Sequence, residues 1–259
     1  ALVCTPDSGK LDILTYLLSH GKHVLVEKPL LPPGSGDIGG LTEMARSTGA
    51  VCYTAYNHRF EPHVARLRGL LGSNRLGDVY NARLFYGNGT AADVKESAWR
   101  DHGLGVLSDL GSHLLDLSLY LFGASDRRFE ALSGNSFETH SLDHVVFGSP
   151  GKPSIQLEAT LLSWRNTFTI DVICELGSAH VDGLCKWGVS TLRVRERVFP
   201  SGVPREEEHV AASPDPTWDP EYQYFKELCD GGEINIANDM WIDSVLCDVA
   251  RQLDVAIEH

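Results

Sequence analysis

Over the first 57 residues, short apolar runs alternate with segments whose leucines return every three or four positions. ALVC (1–4) is apolar and ends at the turn signal Thr5-Pro6-Asp7. Asp7 or Ser8 offers a cap to a helix that places Leu11, Leu14, Leu17 and Leu18 on one face, and Gly21 sits where such a helix stops. HVLVE (23–27) reads as a buried strand, and Pro29, Pro32 and Pro33 open a loop. A second helix is expected over 37–48 and a third strand over 51–55. Strands separated by helices of about 10–15 residues predict parallel βαβ units, with the helices on a sheet face. Ala1 opens directly on a core strand with nothing before it to pair with, so the expectation is a chain that starts inside a domain.

From about Arg59 the pattern changes. A helix is expected over 62–71, a strand over 78–86, an irregular stretch over 87–105 and one long helix over 106–122. Strands follow at 129–138, 144–147, 155–164, 167–175, 179–181 and 191–198. Strands so close in sequence favour an antiparallel sheet. A Pro- and acid-rich loop over 200–217 precedes two closing helices, 220–230 and 237–257. The expected architecture is α/β: a partial parallel-sheet domain over 1–57, then an α+β domain over 58–259 with a large, mostly antiparallel open sheet. An exposed apolar sheet face invites self-association, which predicts a homo-oligomer packed through that sheet.

Composition narrows the partners. The 259 residues are 42% hydrophobic and 22% charged, a globular balance. A net charge of -13, from 22 Lys and Arg against 35 Asp and Glu, argues against nucleic acid or an anionic membrane. No window approaches the roughly 20 apolar residues of a membrane span, and the first residues lack the basic and apolar segments of a signal peptide. Cys4, Cys52, Cys174, Cys185, Cys229 and Cys247 form no C-x-x-C pair. Several lie in apolar runs, which predicts buried free thiols, a reducing and hence cytoplasmic compartment, and no structural zinc.

The segment VLSDLGSHLLDLSLYLF carries most of the chemistry. Leu107, Leu110, Leu114, Leu117 and Leu121 form an apolar stripe, and Asp109, His113, Asp116 and Tyr120 form a second stripe beside it. Buried Asp and His are costly unless paired, so Asp109 and His113, one turn apart, are expected to pair. The carboxylate would favour protonated imidazole and orient it, making His113 a candidate general base. The competing reading is a helix whose Asp–His pair caps loops or lies at an interface. Lys28, in Glu27-Lys28-Pro29, stands at the carboxyl end of an expected parallel strand, where open α/β sheets bind ligands. It could donate a proton or hold an oxygen there; the alternative is a surface lysine ending a strand. His58 and His63 lack a third ligand at suitable spacing and are expected to be solvated or capping, with no metal site. Asp143-His144 lacks a G-x-S-x-G serine, no Walker glycine loop occurs, and the G-x-G-x-x-G spelling at 34–39 falls in the proline loop. Gly34-Ser35-Gly36 is followed by Asp37, a poor neighbour for phosphate.

Four blocks together resemble the glucose–fructose oxidoreductase / inositol dehydrogenase (Gfo/Idh/MocA) family. They are CTPD with GKHVLVEKPL, AYNHRFEP, AWRDHGLGVLSDLGSHLLDLSLYLFG, and, more weakly, ELGSAHVDG. The resemblance implies NAD(P)-dependent hydride transfer to or from a sugar, polyol or sugar derivative. It makes residues 1–57 the C-terminal half of a Rossmann-like dinucleotide-binding domain, and 58–259 a substrate-binding and oligomerisation domain. By the same resemblance Lys28, Asp109 and His113 are catalytic and also touch substrate. Thr5, Pro6, Glu27, Lys28 and Asn57 border the cofactor, Trp99 and Arg100 contact substrate, and no metal is required. The glycine turn and the ribose-binding acidic residue of the family are absent from the sequence, so NAD and NADP are not distinguished. His102-Gly103-Leu104-Gly105 also replaces a longer glycine-rich approach. Two other functions compete: a redox-neutral glycosidase or lyase that uses NAD transiently, and a non-catalytic sugar or dinucleotide sensor.

Overall fold

The computed structural model describes residues 1–97, 100–123, 126–231 and 236–257. Strands β1 (Leu2–Val3), β2 (Val24–Glu27) and β3 (Cys52–Ala55) alternate with helices α1 (Lys10–Ser19) and α2 (Ile38–Thr48). The strands are parallel, in the order β1-β2-β3. Leu14 and Leu18 of α1 and Leu41 and Ala45 of α2 bury against Val3, Val24 and Val26, so the leucine periodicity becomes the core of this sheet. Neither expected cap holds α1. Gly9 occupies the N-cap position without a side-chain bond, and the Asp7 carboxylate pairs with Lys10 instead, at 2.8 Å.

A 3₁₀ turn (Asn57–Phe60) leads to α3 (Pro62–Gly72), which begins on a proline whose missing N–H costs nothing there. Then come β4 (Val79–Gly87), α4 (Ala91–Lys95), α5 (Val106–Asp109) and α6 (Gly111–Phe122). Strands β5 (Glu130–Asn135), β6 (His144–Ser149), β7 (Ser154–Thr160), β8 (Thr167–Cys174), β9 (Gly177–Asp182), β10 (Val189–Val198) and β11 (Gly202–Ala212) follow, with a second 3₁₀ turn at Cys185–Trp187. Helices α7 (Trp218–Cys229) and α8 (Ile236–Gln252) close the chain. The second sheet has eight strands in the order β11-β10-β9-β8-β4-β7-β6-β5. Its pairs are antiparallel except β4 with β7. Alternate residues of β8, Phe168, Ile170 and Val172, face a core shared with Leu107, Leu114 and Leu117 from the rod formed by α5 and α6. Helix α8 ties the two sheets together: Ile236 enters the core of the small sheet, while Ile242, Val245 and Val249 enter that of the large one.

Five expectations are corrected. The stretch over 87–105 contains α4, and the long helix over 106–122 is broken at Leu110 into α5 and α6. The acid-rich stretch after residue 200 is not a loop but edge strand β11, paired with β10 along its length. Its alternation is invisible in sequence because nearly all of it is exposed. The open face of the large sheet is also mixed and not purely apolar: Ile173, Val189 and Val210 are exposed on it beside charged residues. Across it Arg83 faces Asp171, Asp171 faces His180, His180 faces Arg193, and Arg193 faces Glu208, a row of charged and polar side chains. All six cysteines are free; Cys4 is exposed and Cys229 half-buried, against the expectation of burial. Among the described residues, no helix is long and apolar enough to cross a membrane.

Candidate active site

The cleft begins with a lysine that never reaches it. Lys10, only 1% exposed, donates from Nζ to Asp7 Oδ1 (2.8 Å) and to the carbonyls of Glu27 (3.2 Å) and Pro29 (2.7 Å). Both carbonyls flanking Lys28 are thereby held from the α1 side. The Lys28 side chain runs the other way and crosses to the rod, where Nζ donates to the Asp109 carbonyl (2.8 Å) and to Asp109 Oδ1 (2.5 Å).

This contact explains the break in the rod. The Asp109 carbonyl accepts from Lys28 and from Ser112 Oγ (3.2 Å), where an unbroken helix would offer it to the backbone four residues on. The rod's start is fixed as well. Gly105 adopts φ 52°, and an added Cβ would strike the backbone of Leu142, whose carbonyl accepts from Val106 N at 2.7 Å. The Asp109 carboxylate is 40% exposed, with a guanidinium nitrogen of Arg100 3.9 Å from its other oxygen. Burial alone would raise its pKa; the Lys28 ammonium, with Arg100 behind it, outweighs that and holds it below the usual carboxylate value.

The expected pairing of Asp109 with His113 is therefore not what forms. The helix break turns the carboxylate towards Lys28, and His113 packs among rings. Its centroid lies 4.2 Å from His58, 5.8 Å from Tyr56 and 5.9 Å from Tyr86. Burial, then the neighbouring His58, Lys28 and Lys186, push the His113 pKa well below the ordinary imidazole value, opposite to the direction a paired carboxylate would impose. His58 is pushed down likewise, by burial, Lys186 and Lys28. Nδ1 of each ring is buried without a partner.

His58 and His63 are corrected too: both are buried, not solvated. His63 bonds Ser190 Oγ at 3.0 Å, away from the cleft. Sequence reasoning also missed Lys186, which the 3₁₀ turn between β9 and β10 brings to 3.4 Å from His58 Nε2. Burial lowers its pKa. Trp187 and Tyr86 pack together beside it, centroids 5.7 Å apart. The only signal in sequence was a Lys-Trp pair just past the glycine hairpin, and nothing local ties such a pair to a helix 70 residues earlier.

The remaining expected residues are less convergent. Thr5 and Pro6 are exposed just past the end of β1, and Glu27 is half-buried. Asn57 is buried and donates to Thr217 Oγ1 at 2.9 Å, so its amide is spent on the start of α7. Trp99 lies outside the described residues. Among those residues no cluster of three or more His, Cys, Asp or Glu could hold a metal. The structure thus brings together a lysine ammonium clamped on a carboxylate, a second ammonium, and two imidazoles held neutral.

Residues 64–180 match the GFO/IDH/MocA C-terminal domain family. The chain is 30% identical over 195 residues to trans-1,2-dihydrobenzene-1,2-diol dehydrogenase of Sus scrofa, covering 73% of this chain and 57% of that protein. It is 28% identical over 126 residues to glucose-6-phosphate 3-dehydrogenase of Bacillus subtilis, covering 47% of this chain and 36% of that protein. The chain thus spans less than two thirds of these curated relatives. A solved structure of an NAD-binding oxidoreductase from Klebsiella pneumoniae superposes with a TM-score of 0.82 at 17% identity, over 100% of this chain and 80% of that one. At that identity the likeness is one of fold.

Proposed function

Because the chain belongs to the GFO/IDH/MocA family, we propose that it forms the catalytic cleft of an NAD(P)-dependent oxidoreductase. Its substrate would be a hydroxyl or carbonyl carbon of a sugar, polyol or sugar derivative. In this reading residues 1–57 complete a dinucleotide-binding domain, residues 58–259 supply the substrate side, and copies associate through the large sheet. The observation that carries the reading is the Lys28–Asp109 clamp, 2.5 Å long, at the carboxyl end of a parallel strand, with His113 held as a neutral base beside it.

The residues present fit the nicotinamide end of a dinucleotide. Thr5 and Pro6 are exposed at the neighbouring strand end, and the buried His113 Nδ1 has no protein partner. When bound, nicotinamide supplies a carbon that accepts or returns a hydride. Thr5, Pro6 and Lys28 would border it. In the oxidative direction, the Lys28 ammonium holds the substrate's reacting oxygen, and Asp109 fixes that ammonium in place. His113, deprotonated at neutral pH, takes the hydroxyl proton as the oxygen becomes a carbonyl. In the reverse direction the same ring returns the proton. Alignment of these groups, with no covalent intermediate, is all the chain contributes.

The test is Lys28→Ala in the full-chain protein, assayed by NAD(P)H absorbance over a panel of sugars and polyols. Turnover is expected to fall by about 10²–10⁴-fold. Unchanged turnover, or wild-type protein that turns over none of the panel, would defeat the proposal.

A further inference from the structure

Asp101 and Asp143 stand beside the cleft, take no part in the proposed chemistry, and turn their side chains into the protein. Asp143 is fully buried, and its Oδ2 accepts from the backbone N–H groups of Glu138 (2.6 Å) and Thr139 (3.2 Å). Thr139 Oγ1 donates in turn to the Ser141 carbonyl at 2.8 Å, so the connection between β5 and β6 is tied into a fixed shape. Asp101 comes from a different segment, between α4 and α5, and docks on that connection with a side chain 3% exposed. Its Oδ1 accepts from Ser141 N (2.8 Å), Ser141 Oγ (2.9 Å) and His140 N (2.8 Å), and its Oδ2 from His140 Nδ1 (2.6 Å). Burial alone would raise the Asp101 pKa; the bonds from Ser141 and His140 outweigh that and bring it down to about 2, so the tie holds at any working pH.

One residue further on, the same connection holds the rod. The Leu142 carbonyl accepts from Val106 N at 2.7 Å, and Gly105 packs against the Leu142 backbone. Residues 101 and 106 are thus fastened to consecutive positions, 140–142, and this common footing sets how Arg100 meets Asp109. Arg100 N and Asp101 N both donate to the Ser97 carbonyl, at 2.9 and 3.0 Å, so the two residues move as one turn. A guanidinium nitrogen of Arg100 then stands 3.9 Å from Asp109 Oδ2, while Lys28 takes Oδ1. Lys28, Arg100 and the Tyr86 phenol all act on the Asp109 carboxylate. Attraction between charges falls with distance, so Arg100 helps to hold Asp109 ionised only while its own segment stays docked.

We infer that Asp101 is a positioning residue of this cleft: by docking its segment on the β5–β6 connection, where the rod also starts, it sets Arg100 against Asp109. Its meaning for turnover rests on the reading of the cleft as a substrate site; its effect on Asp109 does not. Asp101 acts only through Arg100. Its loss therefore changes the Asp109 carboxylate no more than loss of Arg100 does, and the two losses together change it no further.

The experiment is NMR titration of the full-chain protein labelled with carboxyl-¹³C aspartate, the Asp109 signal being identified by its loss in Asp109→Asn. Wild type is compared with Arg100→Ala, Asp101→Ala and the double variant. The Asp109 midpoint should move upward in Arg100→Ala, upward by a like amount in Asp101→Ala, and no further in the double variant. Asp171, on the open face of the large sheet, should titrate as in wild type, which shows that the fold is intact. Asp101→Ser, whose hydroxyl cannot span both His140 and Ser141, is read in parallel and should give the same shift, so the cycle stands if Asp101→Ala fails to fold. An Asp109 midpoint that stays at the wild-type value in any single variant that folds, or a double shift equal to the sum of the two, would overturn the inference. NAD(P)H absorbance over the panel of sugars and polyols tests the other reading separately. There Asp101→Ala should raise KM by about tenfold or more, the loss of one hydrogen bond to a charged group. A shifted Asp109 in a protein that turns over none of the panel would keep the positioning role and sink the oxidoreductase reading. Turnover with Asp109 unmoved would do the reverse.

Discussion

Two carboxylates seven residues apart on one rod each take a cation from the chain before it, and their pKa values move in opposite directions. Asp116 is 1% exposed and is gripped by Arg59 through two nitrogens, Nε at 2.7 Å and Nη2. Asp109 is 40% exposed and shares Lys28 with its own backbone carbonyl. At Asp116 burial outweighs the guanidinium and moves the carboxyl pKa up; at Asp109 Lys28 and Arg100 outweigh burial and move it down. The same pairing of residue types, set at two depths, gives a sealed fastener in one place and a solvent-facing clamp in the other. Depth decides the role, and sequence spacing does not reveal depth.

The sharpest division between the two is in what a substitution damages. On the clamp side, His113→Asn should lower kcat by about 10²–10⁴-fold, measured by NAD(P)H absorbance with the full-chain protein. Its urea midpoint should stay close to wild type. On the sealed side, Arg59→Ala strands the Asp116 carboxylate in the core and should cost about 3–5 kcal/mol in urea unfolding. Lys28→Ala, the matching change at the clamp, leaves a carboxylate that water and Arg100 can still serve, so its unfolding curve should barely move. If Lys28→Ala proved as destabilising as Arg59→Ala, the distinction by depth would collapse.

A smaller effect comes from pH. Glu221 accepts from Tyr53 Oη at 3.4 Å behind the Arg59–Asp116 pair, and burial raises its pKa from 4.5 to about 8. Asp239 nearby is raised by burial from 3.8 to about 7. A carboxyl whose folded pKa lies above its unfolded one contributes stability that is full below about pH 4.5 and is lost progressively as pH rises to about 8. Each such group gives a slope of at most about 1.4 kcal/mol per pH unit across that window. Glu221→Gln should flatten unfolding free energy against pH between pH 5 and 8. A variant profile parallel to wild type would mean that Glu221 does not titrate there.

What could be read in advance follows from the same contrast. Lys28 was legible because a strand end is a local signal: HVLVE runs apolar and stops at a proline, and Lys28 stands at the stop. The leucine stripe of the rod and the alternation along β8 were legible because burial on one face imposes a period. The break at Leu110 was not, since it depends on a lysine from 81 residues earlier taking the Asp109 carbonyl. Strand β11 lacked a buried face to set a period; its partners are cross-strand, such as Glu206 with Arg195 at 2.6 Å and Glu208 with Arg193 at 2.7 Å. His58 looked solvated because HRFEPH is polar, yet the rod, Tyr86 and Phe168 close over it. Lys186 reaches the cleft only through the topology of the eight-stranded sheet.

Lys10 has one consequence for how this cleft can be altered. Its ammonium grips the main chain on either side of Lys28 from behind, so the pose of the Lys28 side chain is set by a residue buried on the far side of the strand end. Remodelling the first helix would therefore re-aim Lys28 while every residue around its ammonium stayed the same, and a search confined to those neighbours would overlook the lever.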